Sequence, residues 1–292
     1  VTLAMVVLAA CAGAALVGWG LAGPLVDRPA WRKRNYRGVD IAGVSGLVVL
    51  GVAIPGTLVV GSLERIDLTG SHGTATIVAL VGFGLLGLVD DVRGGPSGGG
   101  FGGHVRALLV ERRVTTGLTK LVVGALVGIA AIVVADLAPA DESGRAALVR
   151  VLRGGALVAL GANLLNLFDR APARATKVGV LWWVLLAIGA SVAGSPVEPP
   201  ALAWSATAVG AAIGLAPTEI RERHMQGDTG VNAIGASLGL AVALVASVSA
   251  QWVVLAVLMI LNAASERVSF TLVIDHTPPL RWLDRVGSPY RS

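Results

Sequence analysis

Charge is scarce in this chain. Of its 292 residues only 14% are Asp, Glu, Lys or Arg, against 54% hydrophobic, and the mean hydropathy is +0.77. Soluble domains carry roughly 25% charged residues, so this sequence has too little polar surface to cover an exterior in water. Cysteine is scarcer still. The single Cys11 excludes an internal disulfide framework and a Cys-based metal site. The period-2 alternation of barrel strands is missing. No Gly-Lys-Ser/Thr follows the Gly-rich stretch Gly94–Gly103, which argues against a nucleotide P-loop and leaves that stretch as linker. No soluble domain, coiled coil or internal repeat is visible.

What the chain has in abundance is apolar residues in blocks of about 16 to 26, the length that crosses a ~30 Å hydrocarbon core as a helix. Inside lipid only helices or closed barrels satisfy the backbone, so the expected fold is all-α, a polytopic transmembrane helical bundle. Nine spans are expected, near 1–26, 41–63, 74–89, 118–137, 151–168, 178–194, 201–216, 230–249 and 251–265. The turn between the last two is the least defined, since only Ala250 and Gln251 separate them. Leu8-Ala9-Ala10-Cys11 looks like a lipoprotein cleavage box. No basic segment precedes it and the apolar run continues to Val26, so the first block is read as a retained span.

A net charge of +5 and a pI near 10.1 would suit a nucleic-acid binder, but in a membrane chain the placement of the cations matters more than their sum. All of the 23 Lys and Arg except Arg65, Arg145, Arg150 and Arg153 fall in the segments after spans 1, 3, 5, 7 and 9. The positive-inside rule then puts the N-terminus outside and the C-terminus in the cytoplasm. The reading is one integral membrane domain over 1–292 with cytoplasmic loops near 27–40, 90–117, 169–177, 217–229 and 266–292. The richness in Ala, Val, Gly and Arg suggests a GC-rich bacterial genome, hence a bacterial inner membrane, with no nucleic-acid partner.

Three polar constellations lie on that face. Asp90-Asp91 ends span 3, where acids oppose the helix dipole at a cost of roughly 0.3–1 kcal/mol each; Lys or Arg would cap the span better. Asn163, Asn166 and Asp169 close span 5 at a spacing of three, within an arc of about 120° on one side of the helix. Polar groups at that depth face a partner or a water-filled cavity. Inter-helix hydrogen bonding accounts for the two Asn but not for Asp169. Gln226-Gly227-Asp228-Thr229-Gly230 opens span 8, where an acid suits the helix N-terminus and is also an ordinary cap. Glycines on both sides would let backbone approach a ligand closely. Several carboxylates with few His suit a hard cation such as Mg²⁺ bridging phosphate oxygens, and the inner loops supply Arg and Lys for phosphate charge. A site at the membrane border implies one water-soluble and one lipid-borne reactant. His72 and His104 are read as solvated loop residues, and Trp182 and Trp183 as bundle packing or interface residues.

Asp-Asp at the end of a span, then N-x-x-N-x-x-D, then G-D-T-G, resembles the polyprenyl-phosphate N-acetylhexosamine-1-phosphate transferases, the family of phospho-N-acetylmuramoyl-pentapeptide transferase and its N-acetylglucosamine-1-phosphate relatives. The likeness covers most of the chain. Arg37-Gly38 with Ile41-Ala42-Gly43, and Gly117-Leu118 with Lys120, echo the family's segments at the start of spans 2 and 4. The resemblance implies transfer of a phospho-sugar from a UDP-N-acetylhexosamine to a polyprenyl phosphate, with release of UMP and with Mg²⁺ as cofactor, in cell-envelope precursor synthesis. Carried over, Asp90 and Asp91 would handle the lipid phosphate and its proton, with Asp169 the third catalytic acid. Asp228, with Asp91, would hold the metal. Asn163, Asn166 and Asp169 would line the nucleotide and diphosphate pocket. Lys120 would face phosphate, and Arg37, Arg170 and His276 would serve substrate binding. A homodimer is left open.

Departures stand beside the likeness. Arg170-Ala171-Pro172 replace the family's Gly and further Asp, and Gly94 replaces the Lys trailing the first motif. Only His276 stands for a His cluster, and the span that follows that loop is not found before Ser292. The alternative is therefore a catalytically impaired homologue that binds lipid carrier or nucleotide, or partners envelope-synthesis enzymes. An ion-coupled transporter is a third reading, opposed by acids at the inner border and not at mid-membrane.

Overall fold

The computed structural model describes residues 3–26, 31–35, 37–63, 71–93, 110, 112, 116–135, 143–192 and 200–289. Nine long helices follow the nine apolar blocks. They are α1 (Leu3–Val26), α2 (Gly46–Leu63), α3 (Ser71–Arg93), α4 (Thr116–Val134), α5 (Gly144–Phe168), α6 (Arg174–Val192), α7 (Pro200–Ile220), α8 (Gly227–Val245) and α9 (Val248–Ser265). Two short helices, α10 (Phe270–His276) and α11 (Pro278–Arg285), complete the described chain. A small antiparallel hairpin, β1 (Arg32–Arg34) with β2 (Asp40–Ala42), precedes α2 and pairs Lys33 with Ile41. Six of the helices, namely α3, α4, α5, α6, α8 and α9, are long and apolar enough to cross a membrane. The outward faces of α4, α6 and α9 present Leu126, Leu185 and Ile260, each more than half exposed. Apolar rims of that extent belong in lipid and not in water. The protein is a multi-pass helical membrane protein.

α8 is the hub. It is buried along almost its whole length and packs against α2, α3, α5, α6 and α7. Small residues permit this. A Cβ at Gly235 would come within 2.4 Å of the Gly161 carbonyl on α5, and one at Gly239 within 2.3 Å of the Leu157 carbonyl, the close small-residue contact that holds helices together in membranes. α1 lies along α7, with Ala14 fully buried.

Helix limits move from expectation where side chains do the terminating. α5 begins seven residues earlier than its apolar block, because Ser143 caps it by accepting from the Ala146 N–H at 3.3 Å and its early arginines are compatible with helix. The turn between α8 and α9 falls at Ala246–Ser247, before the expected Ala250–Gln251: the Ser247 hydroxyl accepts from Ala250 N, and Gln251 Nε2 donates back to the Ala243 and Ala246 carbonyls. His72 is no loop residue. It stands half-buried in the first turn of α3, and its carbonyl accepts from Thr76 Oγ1. Trp182 packs into the apolar core, and Trp183 Nε1 donates to Ser205 Oγ on α7 at 3.1 Å. The Gly94–Gly103 stretch and His104 lie outside the described residues.

Candidate active site

Described residues of the hairpin, the end of α3, the start of α4, the end of α5 and the α7–α8 loop lie together at one end of the bundle. The hairpin lies against the α7–α8 loop through a bridge between Ala42 and His224, with Met225 N donating to Ala42 O at 2.8 Å. The start of α2 joins the same loop, Ser45 N and Gly46 N donating to the carbonyls of Met225 and Gln226. This arrangement lays the basic hairpin over the ends of α3 and α8.

Asp91 is the pivot. Its side chain is fully buried, and its carboxylate accepts from Asp228 N at 3.1 Å, Thr229 N at 2.9 Å, Thr229 Oγ1 at 2.6 Å and Lys33 Nζ at 2.5 Å. An acid at the C-terminal end of α3 opposes its own helix dipole, but here it caps the N-terminus of α8, where the dipole favours it. Two glycines make the approach. A Cβ at Gly87, one turn before Asp91, would strike the Asp228 carbonyl at 2.2 Å. Gly227 has φ +64°, and a Cβ there would sit 2.7 Å from an Asp91 oxygen. The glycine before Asp228 thus admits Asp91, where the sequence suggested a ligand. Lys33 is itself held above its ordinary pKa: burial pulls it down, and the carboxylates of Asp91, Asp228 and Asp90 together more than offset that.

Asp90, the neighbour, turns the other way. It is ion-paired with Lys120 of α4, and its carboxyl faces that of Asp228 within hydrogen-bonding reach. Lys120 Nζ also reaches Asp228 Oδ2 at 3.4 Å. Both acids keep partial exposure, 27% for the Asp90 side chain and 21% for Asp228, so this pair is the part of the cluster open to a ligand. Two carboxylates that close repel unless a proton or cation lies between them. Among the described residues no group of three or more His, Cys, Asp or Glu side chains is arranged to hold a metal ion. Mg²⁺ is commonly held by one or two carboxylates with substrate phosphates and water, and the Asp90–Asp228 pair fits that requirement.

A cavity of about 300 Å³ lies near the cluster, linked to it through Asp169, whose carboxyl feels those of Asp228 and Asp91. Asp169 and Arg170 form one wall, Glu219, Glu222 and His224 another, and Arg34 comes from the hairpin. Asp169 caps the end of α5. Burial pushes its carboxyl well above the usual range, and the nearby Glu219, Asp228 and Asp91 push it further. Glu222 has a left-handed backbone, φ +55°, and its buried carboxylate accepts from Arg37 Nε at 2.7 Å and Asn35 Nδ2 at 2.8 Å. His224 is pushed down to about 4 by burial; its ring meets Ser45 Oγ at 2.8 Å and Thr218 Oγ1 at 2.6 Å. Glu219 accepts from Gln226 Nε2 at 3.0 Å.

The acids expected at the site, Asp90, Asp91, Asp169 and Asp228, therefore converge, together with Lys120 and Arg170. Arg37 is near, but braces Glu222. The other expectations resolve differently. Asn163 is exposed and its Nδ2 donates to Asn262 Oδ1 on α9 at 2.5 Å, so it ties α5 to α9, the glue alternative. Asn166 contributes its backbone carbonyl to the Asp169 N–H. His276 is exposed at the end of α10, and no contact described joins it to the acids. Its unit is fixed to α6 instead: Arg174 makes a two-pronged ion pair with buried Asp284 at 2.7 and 2.8 Å. Lys177 Nζ donates to the carbonyls of Leu283, Asp284 and Val286. Sequence reading missed Lys33, Glu219, Glu222 and His224. Glu219 and Glu222 were detectable, as acids at the end of an apolar block in an otherwise basic loop. No protein-family model matches the chain, and no curated protein matches it either.

Proposed function

We propose that this protein transfers a phospho-N-acetylhexosamine from a UDP-sugar to a polyprenyl phosphate, releasing UMP, with Mg²⁺ as cofactor and with the acid end facing the cytoplasm of a bacterial inner membrane. The observation that carries the reading is the meeting of Asp90, Asp228 and Lys120, from three separate helices, beside the cavity walled by Asp169 and Arg170. Such an inventory suits phosphoryl transfer, which needs mainly positioning and charge neutralisation. The acids lie at the end of the bundle, where a water-soluble donor and a lipid-borne acceptor can meet.

In the reaction an oxygen of the polyprenyl phosphate attacks the sugar-bearing phosphorus of the UDP-sugar. The bond from that phosphorus to the bridging oxygen breaks, and UMP leaves with the electron pair. Asp90 and Asp228 would hold Mg²⁺, which when bound supplies charge neutralisation for the diphosphate. Lys120 keeps the two carboxylates together and offers a cation to a phosphate. Asp91 is a positioning residue, because its oxygens are occupied by α8 and Lys33. That assignment shifts the metal role from the Asp228–Asp91 pair to Asp228 with Asp90. Arg34 and Arg170 line that cavity and would meet the nucleotide phosphate. An apolar groove of about 800 Å³ between α6 and α9, with Leu164 and Leu261 among its lining, offers room for the lipid chain.

The test is UMP release in membranes, with polyprenyl phosphate and a panel of UDP-N-acetylhexosamines, with and without Mg²⁺. Asp228→Asn and Asp90→Asn should each abolish release; undiminished turnover in either removes the mechanism. A second reading, a catalytically impaired homologue, is favoured by Lys33 and Lys120 already holding Asp91 and Asp90, and by Arg170 in the cavity wall. Saturable UDP-sugar binding without UMP formation across the panel would select it.

A further inference from the structure

The C-terminal unit, α10 with α11, is built inside out. At about 100° per residue, Leu280, Trp282 and Leu283 of α11 share an arc of about 160°, and Arg281, Asp284 and Arg285 an arc of about 100° on the other side. The apolar arc of an amphipathic helix is the one that normally meets the protein. Here it is turned away: Leu280, Leu283 and Trp282 are 42%, 53% and 68% exposed, while Asp284, from the polar arc, is only 6% exposed. The polar side is what the bundle grips. Arg174 of α6, which forks onto Asp284, also donates from Nη1 to Thr271 Oγ1 of α10 at 2.9 Å. Phe270 of α10 stacks on Phe168 at the end of α5, with ring centroids 5.2 Å apart. This grip fixes which way the apolar arc points. Left in water, that arc would cost about 25 cal/mol per Å² of apolar area, so it calls for an apolar medium.

The attachments say which medium. α11 is tied to the first turn of α6, where Lys177 Nζ donates to the carbonyls of Leu283, Asp284 and Val286. Leu181 lies one turn further on, about 6 Å along the helix axis, and is 58% exposed on a helix apolar enough to cross a membrane. On the other flank α9, also long and apolar enough to span, ends at Ser265, and α10 starts at Phe270. That link carries α10 no further than about 18 Å from the end of α9. Both constraints hold α11 where two spans leave the lipid. Tryptophan is enriched at such borders, and an arc of Leu and Trp backed by Arg is the pattern of helices that lie in the interface plane. A helix as short as α11 would bind a bilayer weakly alone, but the Arg174–Asp284 pair supplies the attachment, and the lipid need only accept the face. A protein partner would cover the same residues, yet would not require them to sit level with the ends of the spans.

We propose that α11 lies in the lipid headgroup layer at the acid end of the bundle, its Leu283 side in the acyl border and its Arg281 side toward headgroups and water. Spin labels on the full chain in phosphatidylcholine–phosphatidylglycerol nanodiscs test this, with Cys11→Ser as background and L283C or R281C as the labelled position. Both positions are exposed, so the labels displace no packing. Oxygen, which concentrates in the acyl region, should relax the L283C label more than an aqueous nickel chelate does, placing it about 5–10 Å into the headgroup and acyl boundary. R281C should show the reverse order. Nickel dominating at both positions puts the helix in water and overturns the proposal. Exclusion of both reagents from L283C overturns it too, because that face is then covered by protein. Neither readout involves UMP release, so the result stands apart from the transferase reading.

Discussion

The two ends of this bundle hold their charges in different ways. At the acid end, Asp91 stands at the wrong end of α3 and is met by the N-terminus of α8 and by Lys33; Asp90 is met by Lys120, and Glu222 by Arg37. The awkward charges there are braced by contacts that join five segments of the chain, the hairpin, α3, α4, the α7–α8 loop and α8. At the other end Arg145, Arg150 and Arg153 of α5 line a cavity, and Arg153 is tied to Gln251 on α9. In both places the charge marks a junction between helices, and only the fold names the partner. Asp90 and Asp91 are adjacent in sequence, yet one is consumed in building the site while the other stays accessible.

The comparison is broken most sharply by separating those two acids. Asp91→Ala should remove a buried, charge-assisted cap and leave Lys33 and two backbone N–H groups without it, a loss of about 3–5 kcal/mol and a melting temperature too low for a stable preparation. Asp228→Asn should leave the melting temperature within a few degrees while UMP release falls by roughly 10³-fold or more, the scale at which a transition-state charge interaction is lost. A destabilised D228N beside a stable D91A would invert the assignment. Next in size is the clamp on the C-terminal helices. Arg174→Ala or Asp284→Ala each strands a buried partner, at about 3–5 kcal/mol. Protease cleavage after α9 should then become fast, and R174M/D284L together should recover most of the loss.

The pH dependence sharpens the contrast further. His224 is buried and its pKa in the folded protein is about 4, below the ~6.5 of the unfolded chain. The unfolded state therefore binds the extra proton first. His224 contributes its full stability above pH 6.5, loses it progressively as pH falls toward 4, and levels off below that, a change on the order of 3 kcal/mol. The difference in melting temperature between the unaltered chain and His224→Gln should trace that window, since the raised Asp169 carboxyl acts in the opposite direction on both. The smallest effect is expected at Asn163: Asn163→Ala removes one inter-helix hydrogen bond to Asn262, about 0.6 kcal/mol in membranes, with UMP release unchanged.

Much of the fold was legible in the sequence because its rules are local. Apolar length marks the nine long helices, and the sorting of cations groups the loops that meet at one end. The convergence of Asp90, Asp169 and Asp228 was also legible, since each interrupts an apolar block at that same end. What escaped was set by tertiary contact. Nothing local distinguishes Asp91 from Asp90; the helix that turns one into a cap lies more than a hundred residues away. The hairpin at Arg32–Ala42 has two three-residue strands, too short for any alternation to register, so Lys33 looked like one more inner-face cation. Asn163 and Asn166 share a helix side with Asp169, but the partner that claims Asn163 is on α9, and spacing alone does not name it. The α8–α9 turn was misplaced because Ser247 and Gln251, both uncharged, do the terminating.

The central claim is that Asp90 and Asp228, drawn together by α3, α4 and α8, form the reactive pair. Mg²⁺-titrated UMP release from UDP-N-acetylhexosamine and polyprenyl phosphate, measured for the unaltered chain, D90N and D228N in the same membranes, addresses it directly. The account requires saturable Mg²⁺ dependence in the first and near-complete loss in both variants. Full turnover in either variant, at the same Mg²⁺ concentration, contradicts it.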